Sequence, residues 1–268
     1  MQFIKPVCLH DKEKIEAFLR RHPFLHLYEL GDLDDFFWSY TIWYACQDSD
    51  SIRQIVLLYL GAELPVLLGL TEGSGEEMSE LLHSISHLLP KRFYAHLNSK
   101  TVEIFAKNYQ IQSHGIYNKM GLTNLLYLNS YLNKVDTSCV QQISQSDLQE
   151  LKALYHVSYP GNWFDPRMLE TGHYYGVRQG AVLVSVAGVH VYSPQYKVAA
   201  LGNVTTHPDF RKQGLATKVC AKLCQSLLDS VDYIGLNVKA DNTGAISSYQ
   251  RLGFEKIAVY GEYTLKLK

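Results

Sequence analysis

Arg211 and Gly214 stand where a β-rich segment gives way at once to an amphipathic run, within Asn203-Val-Thr-Thr-His-Pro-Asp-Phe-Arg-Lys-Gln-Gly-Leu-Ala216. A strand–loop–helix turn of this kind aims several backbone N–H groups at one point, at the positive end of the helix dipole. Gly214 lets the backbone approach a ligand with no Cβ in the way. Arg211 adds a fixed positive charge beside it. That chemistry suits a pyrophosphate. Taken alone, the segment also fits an ordinary strand-to-helix connection with a surface arginine. It is not a nucleotide-hydrolase P-loop, which needs Gly, four residues, then Gly-Lys-Ser/Thr, and it lacks the three-glycine dinucleotide fingerprint.

A second stretch, Asn242-Thr-Gly-Ala-Ile-Ser-Ser-Tyr-Gln-Arg-Leu-Gly-Phe254, has the residues to cap, carry and end a short helix. Asn242 suits an N-cap, Gly253 a C-terminal stop, and Phe254 a return to the core. Tyr249 lies one turn before the end. Its phenol could donate a proton, or its ring could simply pack.

Together the two stretches resemble the GNAT acetyltransferase superfamily, over roughly Cys139 to Lys268. The first family motif is Arg or Gln, two residues, Gly, one residue, then Gly or Ala; Arg211, Gly214 and Ala216 fill it. Asn242, Ala245, Tyr249, Gly253 and Phe254 fill the second. The wording of Asn203 to Ala216 looks closest to the glycine N-acyltransferase-type subgroup. The resemblance implies acetyl-CoA as co-substrate and no metal. It implies that Arg211, Lys212, Gln213, Gly214, Leu215 and Ala216 hold the coenzyme's pyrophosphate. The backbone of Val204, Thr205 and Thr206 would pair with the pantetheine amides, Asn242 would contact the coenzyme arm, and Tyr249 would face the thioester sulfur.

Two departures bear on the chemistry. Some family members have a Glu where this chain has Ala200, and others a Glu where it has Asn237. No carboxylate base is evident at either place. His207 is the nearest titratable group in sequence and reads as a loop residue; His173 and His190 are further candidates that read as structural. The expected reaction is N-acetylation of a small amine, an amino acid or a peptide N-terminus. The alternatives are a glycine or amino-acid N-acyltransferase with a longer acyl donor, and a non-catalytic acyl-CoA-binding module.

These residues need a scaffold. The periodicities predict a strand over Val198 to Thr206, a helix over Gly214 to Val231, a strand over Tyr233 to Val238, a helix over Thr243 to Arg251, and a strand or hairpin over Lys256 to Lys266. Upstream lie a short strand at Val140 to Ile143 and a helix entered through a capping box at Ser146 to Gln149. A helix start at Asp165-Pro166 and β-rich segments at Tyr174 to Val177 and Ala181 to Val191 follow. The first half ends in the same order: strands at Arg53 to Tyr59 and Leu64 to Leu70, a helix at Glu76 to Leu89, a strand at Phe93 to Leu97, a helix at Ser99 to Lys107 and a strand at Gln110 to Met120. The fold class expected is α/β, a mixed and mostly antiparallel sheet flanked by helices, repeated as a tandem. The join is placed in the polar stretch near Asp136, giving residues 1–135 as a degenerate copy and 136–268 as the catalytic domain. Where the first half should have its pyrophosphate loop it has Thr71-Glu72-Gly73-Ser74-Gly75-Glu76-Glu77, with no arginine and three carboxylates that repel phosphate. The aromatic run Phe36, Phe37, Trp38, Tyr40, Trp43 and Tyr44 reads mostly as buried sheet.

The 268 residues, 47% of them apolar, suffice for two cores. A formal net charge of -1 provides no global field to recruit nucleic acid or an anionic membrane. No apolar stretch is long enough for a bilayer, and Met1 to Arg20 lacks a signal-peptide core. A cytoplasmic location is the default expectation. Five cysteines follow no metal-site spacing, and Cys220 and Cys224 read as small buried hydrophobes.

Overall fold

The computed structural model describes residues 5–48, 51–73 and 75–268. Two compact units divide the chain: Met1–Lys119 with Ala258–Lys268, and Met120–Ile257. Each carries a mixed, mostly antiparallel sheet flanked by helices, as expected.

In the first unit β1 (Val7–Leu9) leads to α1 (Lys12–Leu19), α2 (Leu27–Gly31) and α3 (Asp35–Trp38). Then come β2 (Thr41–Asp48), β3 (Ser51–Tyr59), β4 (Val66–Gly69), α4 (Glu76–Ile85), β5 (Arg92–Leu97) and β6 (Tyr109–Leu122). Strands β2, β3 and β4 pair antiparallel; β4 and β5 pair parallel, from Val66↔Tyr94 to Gly69↔Leu97. The aromatic run is not a buried sheet. Asp34 accepts from Phe36 N and starts a helical turn, which leaves Phe36 62% exposed and Tyr40 49% exposed; Trp43 alone of the six is fully buried. The predicted helix at Ser99 to Lys107 is a 3-10 turn over Thr101–Phe105.

The second unit contains α5 (Leu125–Lys134), β7 (Val140–Gln142), α6 (Leu148–Ser158), β8 (Tyr175–Gln179), β9 (Val182–Ser193), β10 (Val198–Thr206), α7 (Leu215–Leu227), β11 (Tyr233–Lys239) and α8 (Thr243–Arg251). β12 (Phe254–Leu267) closes the chain. Its residues 254–257 belong to the second unit, while 258–267 belong to the first, where they pair antiparallel with β5. In the second unit the strand order is β11-β10-β9-β8-β7, antiparallel throughout except β10 with β11. Thr217, Val219, Cys220, Leu223, Cys224 and Leu227 of α7 are buried, the stripe that amphipathic spacing predicts. Burial pushes the Cys220 thiol up to about 12, so it packs as a hydrophobe rather than as a thiolate.

Three boundaries shift for local reasons. The capping box is Ser144 with Asp147, not Ser146: the Asp147 carboxylate accepts from Ser144 N at 2.8 Å and is also held by Arg178 at 2.6 Å. Helix α7 ends at Leu227, and past it Ser230 N donates back to the Leu227 carbonyl in a tighter, 3-10-type bond of 2.9 Å. The second compact unit begins at Met120, upstream of the join expected near Asp136, and its α5 packs against α7 and α8.

Candidate active site

The site is built where β10 leaves β11. Their parallel pairing runs from Val198↔Tyr233 to Leu201↔Leu236 and goes no further, although β10 continues to Thr206 and β11 to Lys239. The strands therefore part after Leu201, and the β10 backbone from Gly202 onward is not paired to β11. A bulge sharpens the departure. Opposite β9 the register shifts between Gly202 and Thr205, and Asn203 adopts φ +54.

Buried polar groups hold that conformation. Tyr155 donates to the Asn203 carbonyl at 3.0 Å, and Asn203 Nδ2 donates to the Tyr174 hydroxyl at 3.0 Å. Tyr174 in turn reaches the Val189 carbonyl at 3.3 Å. Burial raises both phenols well above the usual tyrosine range; the neighbouring tyrosines add to this for Tyr155, while for Tyr174 the Asn203 bond opposes it. Both stay protonated as donors at neutral pH. The sequence reading assigned none of these three residues a role. An asparagine at the turn of a long strand was the only available signal, since Asn tolerates positive φ.

Past Thr206 the chain forms a short turn, Pro208–Phe210, capped by His207, whose Nδ1 accepts from Asp209 N. His207 is thus a loop-forming residue. His173 packs on the Tyr192 ring, with centroids 4.3 Å apart, and burial lowers its pKa. Arg211 Nε donates to the Thr206 carbonyl at 3.2 Å, which fixes the guanidinium beside the end of β10. Lys212 and Gly214 both take positive φ, +62 and +75. This pattern curls the loop onto the first turn of α7, and no side chain caps that helix. Arg211, Lys212, Gln213 and Gly214 are exposed around it; Leu215 is buried beneath and Ala216 half-buried. Val204 and Thr206 are half-buried on the unpaired stretch, and Thr205 bonds Ser158 Oγ at 3.0 Å.

The second motif ends in the core. Asn242 Oδ1 accepts from Ala245 N at 3.2 Å and caps α8, so its carbonyl is engaged within its own helix. Tyr249 is 8% exposed and packs edge-on against Phe254. Among the described residues no cluster of three or more His, Cys, Asp or Glu has the geometry to hold a metal. No helix there is long and apolar enough to cross a membrane.

Parted parallel strands, a bulged first strand, and a positive-φ glycine at an uncapped helix start follow one another along β10 and into α7. Residues 140–254 match the acetyltransferase (GNAT) family model. This match and the solved structures below support the GNAT acetyltransferase superfamily. N-alpha-acetyltransferase RimI of Mycobacterium tuberculosis is 27% identical over 95 residues, which are 34% of this chain. The chain spans just over half, 57%, of that relative's length. A Drosophila protein of known structure superposes with a TM-score of 0.69 at 10% identity, covering 99% of this chain and 98% of that one. A tandem GNAT protein from the clavulanic acid biosynthesis pathway gives 0.56 at 13% identity, covering 97% and 98%. A GNAT-family acetyltransferase from Colwellia psychrerythraea gives 0.57 at 13%, covering 98% and 100%. At these identities the structural likeness is one of fold.

The first unit repeats one part of this layout, a parallel strand pair joined through a helix that begins at a glycine. Strand β4, the parallel partner of β5, is followed by Gly75, φ +76, at the start of α4, just as Gly214 starts α7. The strand-to-helix connection there is residues 70–75, against 207–214 in the second unit. Glu72 pairs with His22 and Glu77 with Arg53. A Cβ on Gly69 would lie 2.8 Å from Leu97 Cδ2 and 3.5 Å from Met78 Sδ, so side chains fill the space beside the pair. Ser74 lies outside the described residues.

Proposed function

We propose that the second unit is an acetyl-CoA-dependent N-acetyltransferase that acylates a primary amine by direct attack on the thioester. The parting of β10 from β11 at Leu201/Leu236 carries this reading. An extended chain bearing amides needs an unpaired strand edge to bind, and the β10 backbone beyond Gly202 is such an edge. The N–H groups at the start of α7 and the Arg211 charge fit the pyrophosphate. The co-substrate supplies an activated acyl carbon. The chain's own contribution is to bind and orient it, and to manage two protons. Tyr249 is assigned to the leaving sulfur, because a phenol is protonated at neutral pH and can still give its proton up.

Incubating the chain with acetyl-CoA and a panel of alkyl amines, amino acids and short peptides tests this through release of free thiol. Amine-dependent thiol release is expected; an acyl-CoA-binding module would bind without turnover and would end the enzyme reading. A donor series of rising acyl length separates acetyl transfer from the glycine N-acyltransferase-type alternative.

Two substitutions probe the pyrophosphate loop. A Cβ on Gly214 would meet no protein atom within 4 Å. Valine there loads only the backbone, at a cost of about 1–2 kcal/mol for a left-handed conformation, and blocks the open side where phosphate would sit. Calorimetry should show coenzyme A affinity falling at least roughly tenfold. Arg211 is exposed, so charge reversal acts through a screened field. Arg211→Glu should weaken coenzyme A by about tenfold at low salt and less at high salt. Wild-type affinity in both variants would rule this loop out.

A further inference from the structure

The reaction needs a group to take the acceptor's proton, and neither Ala200 nor Asn237 supplies a carboxylate. The β-sheet register points elsewhere. Leu201 and Leu236 are the last parallel pair, and both are buried. The next residues, Gly202 and Asn237, stand where the strands part and, by strand alternation, point to the face opposite those two leucines. Two polar side chains belong to that face near the point of parting. Against Gly202 lies His190: β9 pairs Val191 with Ala200 and Val189 with Leu201, so His190 is the extra residue of a bulge. A Cβ on Gly202 would fall inside the His190 imidazole, so the ring is seated on that glycine. Bulges re-aim side chains in this way. The other, on β11, is Asn237. Its Oδ1 is buried and has no hydrogen-bond partner. A buried carbonyl oxygen left unsatisfied destabilises the fold, so its presence needs a reason.

We propose that His190 and Asn237 form the amine subsite of the cleft: Asn237 Oδ1 accepts an N–H of the acceptor, and His190 removes its proton. The inference rests on the acetyl-transfer reading above. The pyrophosphate loop lies beyond Thr206 and the strands part at Gly202. The reacting carbon of a ligand running inward along β10 therefore comes to the two side chains that flank this apex. The proton balance closes with these groups. The acceptor arrives as an ammonium, and one proton passes to His190, which is half-buried and can release it to solvent. The nitrogen then attacks the thioester carbon, forming the N–C bond. The C–S bond breaks, and the second proton ends on the leaving sulfur. Products are the amide and the free thiol.

The test compares His190→Gln and Asn237→Leu with the wild type, using coenzyme A calorimetry, amine calorimetry on the coenzyme A-loaded protein, and acetyl transfer to two acceptors. One is the best alkyl amine, protonated at neutral pH; the other is a weakly basic aromatic amine, already neutral. His190→Gln should lower kcat/KM for the alkyl amine by roughly 10²–10⁴-fold. The loss should be much smaller for the neutral amine, and coenzyme A affinity should be unchanged. Asn237→Leu should raise the amine Kd and KM by roughly tenfold, with a smaller change in kcat. Equal losses for both acceptors, or losses matched by a fall in coenzyme A affinity, would show a structural role and overturn the proposal. So would amine kinetics and amine affinity unchanged in both variants. A wild-type chain that acetylates no amine would end the proposed function itself, and this subsite with it.

Discussion

Tyr249→Phe is expected to lower kcat by roughly 10²–10⁴-fold while coenzyme affinity stays unchanged. Attack by the amine ends with expulsion of a thiolate, whose parent thiol has a pKa of about 8.5 when cysteine-like. A hydroxyl that donates to the sulfur eases this departure. Tyr249 sits in the last turn of α8, with 8% of its surface exposed, so its phenol is positioned by the core and not by solvent. Phenylalanine keeps the ring and its edge contact with Phe254. Urea denaturation should therefore show a change of no more than about 1 kcal/mol, the usual worth of one hydrogen bond. Single-turnover rates are the proper readout, because slow product release would mask the chemical step. Normal single-turnover rates in this variant would return Tyr249 to the packing aromatics.

The second large effect is on stability. Gly253→Ala should cost on the order of 3–5 kcal/mol, at the diagnostic end of single substitutions. Gly253 has φ +94, which only glycine adopts readily. An alanine Cβ would strike the backbone carbonyl of Asn124. That segment cannot retreat cheaply. Thr123 N and Asn124 N both donate to the Gly253 carbonyl at 3.2 Å, and Asn124 Oδ1 accepts from Leu126 N to start α5. Relief of the clash therefore breaks backbone bonds and disturbs a helix cap. The urea midpoint should fall with little change in the slope. A loss below about 1 kcal/mol would mean that the 123–124 segment yields freely.

Gly253 also marks how far the sequence was legible. Its place at a helix end was readable from the Asn242 to Phe254 spacing, and α8 falls at Thr243–Arg251 as the pattern predicts. Its contact with Asn124 was not, because that residue lies far away in sequence and within the stretch first assigned to the other domain. Strand β10, Val198–Thr206, was likewise readable from its β-rich run, but the bulges at Asn203 and His190 were not. A bulge is a property of two strands in register, and neither strand alone encodes it. The pairing that stops at Leu201↔Leu236 belongs to the same class. Local chemistry misled at Phe36 to Trp38, where strand-forming aromatics follow an Asp34 cap and the cap prevails. The cysteines were simple to read: Cys220 and Cys224 are both buried on α7.

The account rests on one cleft, in the second unit, accepting the coenzyme. Calorimetric titration of the full chain with coenzyme A tests this most directly. One site per chain is predicted, weakened at least roughly tenfold by Gly214→Val, because the first unit offers the carboxylates Glu72, Glu76 and Glu77, which repel phosphate, where the second offers Arg211. No binding, two sites per chain, or one site that Gly214→Val leaves untouched would contradict it.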